Sequence, residues 1–245
     1  MRTQNLSQKP TSKKRPRADI IEIFSSYQGE GVYMGARQIF IRFAGCNLKC
    51  AFCDTAQNVT MKNVTPERVL KKVAAIDSAE RRYHSISLTG GEPLLHVDFL
   101  ECLLPALKER GYKIYLETNG TLSSELNRVI KYVDIIAMDI KLPSATEMPP
   151  LWESHRRFLE IARRSDTFVK VVVTANTSTA DVVKARNIVD DLGKDMHFVL
   201  QPASPTERGE LTIRRERISA FRRVAEQRLK RVSVIPQIHK YLGIK

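Results

Sequence analysis

Apolar residues gather along this chain in two alternating kinds of segment. Short runs that are largely apolar on both faces occur at 39–44 (IFIRFA), 85–89 (SISLT), 112–118 (YKIYLET), 134–139 (DIIAMD), 168–174 (FVKVVVT) and 196–201 (MHFVLQ). Such runs are the mark of strands buried on both sides in a parallel sheet. Between them, apolar residues recur at helical spacing. One helix opens at Thr65, which can serve as N-cap ahead of Pro66 at the first helical position, with Val69, Leu70 and Val73 facing a core. A second spans Asp181 to Leu192, with Val182, Ala185, Val189 and Leu192 on one stripe. Six strands separated by crossovers predict an α/β fold with right-handed connections, either an open barrel or a doubly wound layer.

Both architectures collect function at the C-terminal ends of their strands. Polar and glycine-rich residues stand at those ends here. Cys46 follows the first run, TGGEP (89–93) the second, ETNG (117–120) the third, DIKLPS (139–144) the fourth and QPAS (201–204) the sixth. Five loops on one rim predict a single site.

Composition narrows the classes. With 245 residues, 42% of them hydrophobic, the chain suffices for one α/β domain with a substantial core. No run reaches the roughly 18 apolar residues of a membrane span and no apolar leader follows the start, so a cytoplasmic protein without a membrane partner is expected. The net charge of +13 is localised. Residues 1–17 carry six bases and no acid, and 214–231 carry eight bases against Glu216 and Glu226, so these two segments hold nearly all of the excess. The first has little to bury and is read as a basic disordered tail over 1–18, ahead of one domain over 19–245. The second predicts an amphipathic helix with Ile218, Phe221, Ala225 and Leu229 inward and a solvated basic face. Without interleaved aromatics or a recognition signature, no nucleic-acid partner is expected.

Three of the four cysteines, Cys46, Cys50 and Cys53, fall within eight residues as CxxxCxxC. In a reducing compartment such a group points to metal or redox chemistry. A structural zinc site wants four ligands, commonly in two pairs, whereas an iron–sulfur cluster held by three thiolates keeps one iron open to a ligand. Spacing alone leaves an open cluster, zinc and an incidental grouping all available. Cys102, in VDFLECLLPAL, is expected to be a small buried hydrophobe.

The cysteine motif after a first strand, with Phe52 before its last cysteine and GGEP (90–93) after the next strand, resembles the radical S-adenosylmethionine superfamily. That resemblance implies an open, partial TIM-like barrel of about six parallel strands. It also implies a [4Fe–4S] cluster on Cys46, Cys50 and Cys53, with S-adenosylmethionine on the open iron. Within the superfamily, SSYQGEGVYMGARQIFIRFAGCNLKCAFCDT (25–55), LETNGT (116–121) and PQIHKYLGIK (236–245) resemble the 7-carboxy-7-deazaguanine synthase family.

Several roles follow from this family resemblance alone. The substrate is expected to be 6-carboxy-5,6,7,8-tetrahydropterin, which rearranges to 7-carboxy-7-deazaguanine with loss of ammonia, on the way to queuosine or archaeosine. Arg42 is expected to take its carboxylate, Gln28 and Glu30 its pterin edge, and Tyr27, Gly29, Thr89, His239 and the Lys245 carboxylate to complete the pocket. Phe52, Cys53, Asp54, Gly90, Gly91, Glu92, Glu117, Asn119, Asp139, Ile140, Lys141, Gln201, Pro202, Ala203 and Ser204 are expected around S-adenosylmethionine. Thr55 is expected to ligate Mg²⁺, an ion that favours oxygen donors. No side chain is expected to initiate the reaction, because a 5′-deoxyadenosyl radical does so. A flavodoxin- or ferredoxin-type reductant and a homodimer belong to the same expectation. Two other readings are a glycyl-radical-enzyme activase, which shares the cysteine arrangement, and a basic nucleic-acid-binding module with structural zinc.

Overall fold

The protein is described from a computed structural model covering residues 16–53, 60–80, 83–192, 195–204 and 213–244. The strands are β1 (Ala18–Tyr27), β2 (Arg37–Phe43), β3 (Met61–Val64), β4 (Ser85–Gly90), β5 (Ile114–Thr118), β6 (Ile135–Asp139), β7 (Asp166–Val173), β8 (Phe198–Pro202) and β9 (Val232–Val234). They form one sheet in the order β3-β1-β2-β4-β5-β6-β7-β8-β9. From β2 to β9 the neighbours run parallel, while β1 pairs antiparallel with β2 and β3. The edge strands β3 and β9 do not pair with one another, so the sheet is an open barrel, as expected.

The crossovers carry α1 (Pro66–Glu80), α2 (Val97–Glu109), α3 (Ser123–Val129), the short α4 (Pro143–Thr146), α5 (Trp152–Ala162), α6 (Thr179–Asp190) and α7 (Arg215–Glu226), and the described chain closes with α8 (Ile238–Leu242). The period of two along each strand divides the apolar residues between two layers. Ile39, Ile41, Phe43, Ile86, Leu88, Leu116, Val171 and Leu200 pack outward against helices in the main core. Burying each such side chain contributes about 1.5–3 kcal/mol. Tyr115, Ile135, Ala137, Phe168 and Val199 point the other way and form a second cluster with Val32, Tyr33 and Ile235. That cluster floors the barrel. Above it, the next inward positions toward the strand ends are polar.

All six expected strands are present. The sheet gains three more, because β1, β3 and β9 are edge or antiparallel strands whose sequences lack a two-sided apolar signature. Helix α1 begins at Pro66, with Val69 and Val73 buried and Leu70 partly so. Val182, Ala185 and Val189 of α6 are buried, and Leu192 packs on the core from just beyond the helix end. The basic helix α7 buries Phe221 and Ala225 and ends before Leu229, which reaches the core from the following turn. Its outer face is solvated, with Arg222 paired to Glu226, and just past its end Arg228 pairs with Asp190.

Cys102 is exposed and not buried. Helix α2 buries Phe99, Leu100, Leu103, Leu104 and Leu107, and Cys102 stands on the opposite face with Asp98 and Glu101. Residues 1–15 of the expected tail lie outside the described residues, and Ala18 already belongs to β1.

Candidate active site

The loop after β4 is pressed onto the loop after β2. Gly91 donates its N–H to Phe43 O at 3.0 Å and Glu92 donates to Gly45 O at 2.8 Å. A Cβ at Gly91 would lie 1.8 Å from the Gly45 carbonyl oxygen, and one at Gly90, where φ is +120°, would lie 2.2 Å from Phe43 O. Only glycine fits a backbone approach this close. Behind the loop, Glu92 is fully buried and spends its carboxylate on the protein. It accepts from Leu94 N at 3.1 Å, Asn119 N at 2.8 Å and Thr118 Oγ1 at 3.0 Å. Burial pushes this carboxyl up to about 7, against the pull of those donors. Glu92 thus fastens the β4 loop to the β5 loop.

Cys46, Cys50 and Cys53 are all free thiols on the neighbouring loop. Among the described residues, no three His, Cys, Asp or Glu side chains converge as a ready metal cage. The donor set nevertheless suits an iron–sulfur cluster: three thiols, none spent in a disulfide, on one short solvent-facing loop. Asn119 Nδ2 lies 3.7 Å from Cys46 Sγ and 2.8 Å from Asn47 Oδ1, a contact of the kind that tunes cluster potential. Burial raises the Cys50 thiol, with Lys141 opposing. Lys141 Nζ also stands 5.3 Å from the Phe52 ring centroid, close to the cysteine loop.

Along the ends of β6, β7 and β8 runs a buried polar row. Asp139 and Lys170 are register partners on β6 and β7. Asp139 Oδ2 takes Lys141 Nζ at 2.8 Å and faces Lys170 Nζ at 3.7 Å. Burial works against both lysine charges, yet Asp139 holds Lys141 above its ordinary value, and Glu30 with Asp139 holds Lys170 well above its own. Two buried acceptors, Asp139 Oδ1 and Gln201 Oε1, have no hydrogen-bond partner among the described residues. Native proteins seldom leave such atoms unpaired, so they fit a bound group that brings donors. Ile140 is buried with its N–H on Lys170 O at 2.9 Å, and Ala203 N–H meets Val173 O at 2.9 Å. Pro202 ends β8.

Beside this row opens a cavity of about 350 Å³, within the range of small-molecule sites. Glu22, Phe24, Tyr27, Gln28, Gly29, Glu30, Phe40, Arg42, Thr89, Glu117, Gln237, His239 and Lys240 line it. Phe24 and Phe40 stack at 5.1 Å, and the Arg42 guanidinium lies 5.6 Å from the Phe24 ring centroid. Arg42 gives Nε to Glu22 at 3.0 Å. Gln28 is buried; its Nε2 donates to Glu117 Oε1 at 2.8 Å and Gln38 Oε1 at 3.1 Å. Thr89 Oγ1 donates to Glu117 Oε2 at 2.8 Å. Glu30 accepts from Lys170 and from Gln237 Nε2, the latter at 2.6 Å. Burial pushes Glu30 up, but the charge of Lys170 and the hydrogen bonds from Gln237 and Lys170 together outweigh it and hold the carboxylate down to about 2. His239 packs over Gly29, where a Cβ would lie 2.2 Å from its Nδ1, and Ile238 N–H reaches Gly29 O at 2.9 Å.

The structure therefore gathers Tyr27, Gln28, Gly29, Glu30, Arg42, Thr89 and His239 around one cavity. Glu117, expected beside the cofactor, also lines this cavity. Asp54, Thr55 and Lys245 lie outside the described residues. Sequence reasoning missed Lys170, Gln237 and the Glu22–Arg42 pair. A lone lysine inside the apolar run FVKVVV, at an inward position of the period-two pattern, was the available signal for Lys170.

A three-thiol loop on the rim of an open parallel barrel, flush against a GGEP turn, defines a radical S-adenosylmethionine enzyme, and the radical SAM superfamily matches residues 40–201. Within it the chain belongs to the 7-carboxy-7-deazaguanine synthase family. It is 40% identical to the 7-carboxy-7-deazaguanine synthase of Geobacter sulfurreducens, over 94% of this chain and 98% of that protein. It is 34% identical to the synthase of Archaeoglobus fulgidus, over 94% of this chain and all of that protein. The fold is similar to the crystal structure of QueE from Escherichia coli, with a TM-score of 0.56 and 22% identity over 89% of this chain and 93% of that one. It is also similar to a radical SAM methyltransferase from Sphaerobacter thermophilus, with a TM-score of 0.61 and 18% identity over 90% of this chain and 77% of that one. The activase and zinc-module readings are not favoured.

Proposed function

We propose that the protein converts 6-carboxy-5,6,7,8-tetrahydropterin to 7-carboxy-7-deazaguanine with release of ammonia. The observation that carries this reading is the cavity at the strand ends, which offers a guanidinium, three carboxylates, a buried amide and an aromatic pair to one small polar bicycle. When bound, the [4Fe–4S] cluster and S-adenosylmethionine supply the radical chemistry that removes hydrogen from the substrate. The chain's own residues bind, orient and exclude water.

Cys46, Cys50 and Cys53 would hold the cluster. Asp139 and Gln201, each with an unpartnered buried oxygen, are suited to take donors from S-adenosylmethionine, with Phe52, Ile140, Pro202, Ala203 and Ser204 beside it and Gly90 and Gly91 leaving room for its methionyl end. Arg42 Nη1 and Nη2 carry no hydrogen bond to the described residues, and a guanidinium edge matches a substrate carboxylate bidentately. Glu30 and Glu117 remain acceptors for the ring N–H groups of the pterin, with Gln28 and Thr89 fixing Glu117 and Lys170 fixing Glu30. His239 closes the wall over Gly29. Thr55 as a ligand of Mg²⁺ and the terminal carboxylate of Lys245 at the substrate complete the proposed site. A cytoplasmic homodimer reduced by a flavodoxin or ferredoxin belongs to the same proposal.

Anaerobic turnover tests it. Reconstituted protein is mixed with S-adenosylmethionine, Mg²⁺, a reductant and the tetrahydropterin, and the product is identified by mass. The expected outcome is 7-carboxy-7-deazaguanine that depends on both cluster and S-adenosylmethionine. Release of 5′-deoxyadenosine without the deazapurine would keep the radical chemistry and remove this substrate.

A further inference from the structure

The residues read as cofactor-binding and those read as substrate-binding are joined by two side chains outside both groups. Lys170 Nζ donates to Glu30 Oε2 and lies 3.7 Å from Asp139 Oδ2. Gln237 donates Nε2 to Glu30 Oε1 at 2.6 Å and accepts the hydroxyl of Ser204 on Oε1. One bridge is charged and the other neutral. Both begin at the ends of strands assigned to the cofactor, β6 and β8, and both end on the same substrate-facing carboxylate.

We infer that Lys170 and Gln237 are positioning residues that couple S-adenosylmethionine binding to substrate binding through Glu30. The inference rests on the proposed reading of the two half-sites. The physical basis is that Lys170 is a cation shared by two carboxylates, all three side chains being mostly buried and so weakly screened. A ligand that donates to the unpartnered Oδ1 of Asp139 offsets the charge of that carboxylate, weakens its hold on Lys170 and lets the ammonium settle on Glu30. A ligand that engages Ser204 reorients Gln237, whose other end sets the second oxygen of Glu30. Cofactor binding then fixes Glu30, already ionised, in the position that the substrate meets. By linkage, substrate binding strengthens cofactor binding by the same factor.

The experiment measures two affinities without turnover. Cluster-reconstituted full-length protein is titrated anaerobically, with no reductant, with oxidised 6-carboxypterin in the absence and presence of saturating S-adenosylmethionine, and the converse titration checks reciprocity. The wild-type protein is expected to bind 6-carboxypterin at least about fivefold more tightly when S-adenosylmethionine is present, the lower end of ordinary coupling between sites. Lys170→Met is expected to bring that factor close to one, Lys170→Arg to restore most of it, and Gln237→Ala to reduce it with the fold intact. A folded Lys170→Met protein that keeps the wild-type factor overturns the inference. If Lys170→Met does not fold, an unchanged factor in Gln237→Ala overturns it. A wild-type protein that binds each ligand with no mutual effect also overturns it and leaves the site reading standing. Failure of the wild-type protein to bind either ligand is instead the failure of the site reading.

Discussion

Gly91 and Gly45 meet so closely that a Cβ on Gly91 would stand 1.8 Å from the Gly45 carbonyl oxygen. The contact joins the turn after β4 to the loop that leads into the three cysteines, so the geometry of each loop depends on the other. Gly91→Ala is expected to force the two backbones apart at a cost of at least about 2 kcal/mol. Iron and sulfide content after reconstitution is expected to fall with thermal stability. A variant that assembles a full cluster at wild-type stability would show that the loops are not so tightly joined.

Glu92 and Glu30 are both buried carboxyls, and they are expected to give stability opposite dependences on pH. Glu92 is raised from 4.5 to about 7 in the folded chain, so that form holds the proton longer than the unfolded one. Its contribution is full below the unfolded value and is lost as pH rises from about 4.5 to 7, on the order of 3 kcal/mol in all. Glu30 is lowered to about 2, so its contribution is present above about 4.5 and is lost as pH falls toward 2. Glu92→Gln removes the first slope and places an amide N–H against backbone donors, at a cost of about 1–3 kcal/mol. Denaturant unfolding of the wild-type and Glu92→Gln proteins between pH 5 and 8 checks this, and parallel curves would exclude it.

Cys50 is the middle thiol of the group and one of the three ligands proposed for the cluster. Cys50→Ala is expected to abolish the visible absorbance of the reconstituted cluster, the cleavage of S-adenosylmethionine and product formation together. Retained turnover would end the assignment of the cluster to this loop.

Arg42 is held at Nε by Glu22, which leaves the other two nitrogens of its fork for a substrate carboxylate. Arg42→Lys keeps the charge and loses the fork. It is expected to raise KM for the tetrahydropterin by about 10- to 100-fold, the 1.4–3 kcal/mol of a lost charge-assisted hydrogen bond, with a smaller change in kcat. Steady-state kinetics with a decarboxylated pterin analogue provides the control, since that analogue should not distinguish Arg from Lys.

Glu117 accepts hydrogen bonds from Gln28 and Thr89 on its two oxygens while facing the cavity. Glu117→Gln turns one acceptor into a donor opposite existing donors. Substrate affinity is expected to fall at least about tenfold, while S-adenosylmethionine affinity is retained. If S-adenosylmethionine binding is what falls, Glu117 belongs to the cofactor half after all.

Local sequence settled what local physics controls. Two-sided apolar runs marked six parallel strands, because a strand covered on both faces keeps few polar side chains, and those, like Lys170, need a partner supplied by the fold. The polar ends of those runs located the rim, and CxxxCxxC with GGEP located the chemistry on it. Cys102 is the misreading: its apolar neighbours in the chain predict a place inside, but helical spacing puts it on the outer face with Asp98 and Glu101. Strand β1 escaped because an antiparallel strand on the open side of a barrel mixes apolar and polar residues.

Tertiary structure alone decided the charges inside the lumen. Lys170 and Glu30 are 140 residues apart in sequence, and Gln237 reaches Glu30 across 207. Glu117 lines the cavity because of the residues that face it across neighbouring strands, Gln28 and Thr89. A pairing of this kind leaves no periodicity, since neither partner's surroundings in the chain carry a trace of the other. It exists because the barrel curls the ends of distant strands around one space from which water is largely withheld, and there a charge stays only where the fold supplies its partner.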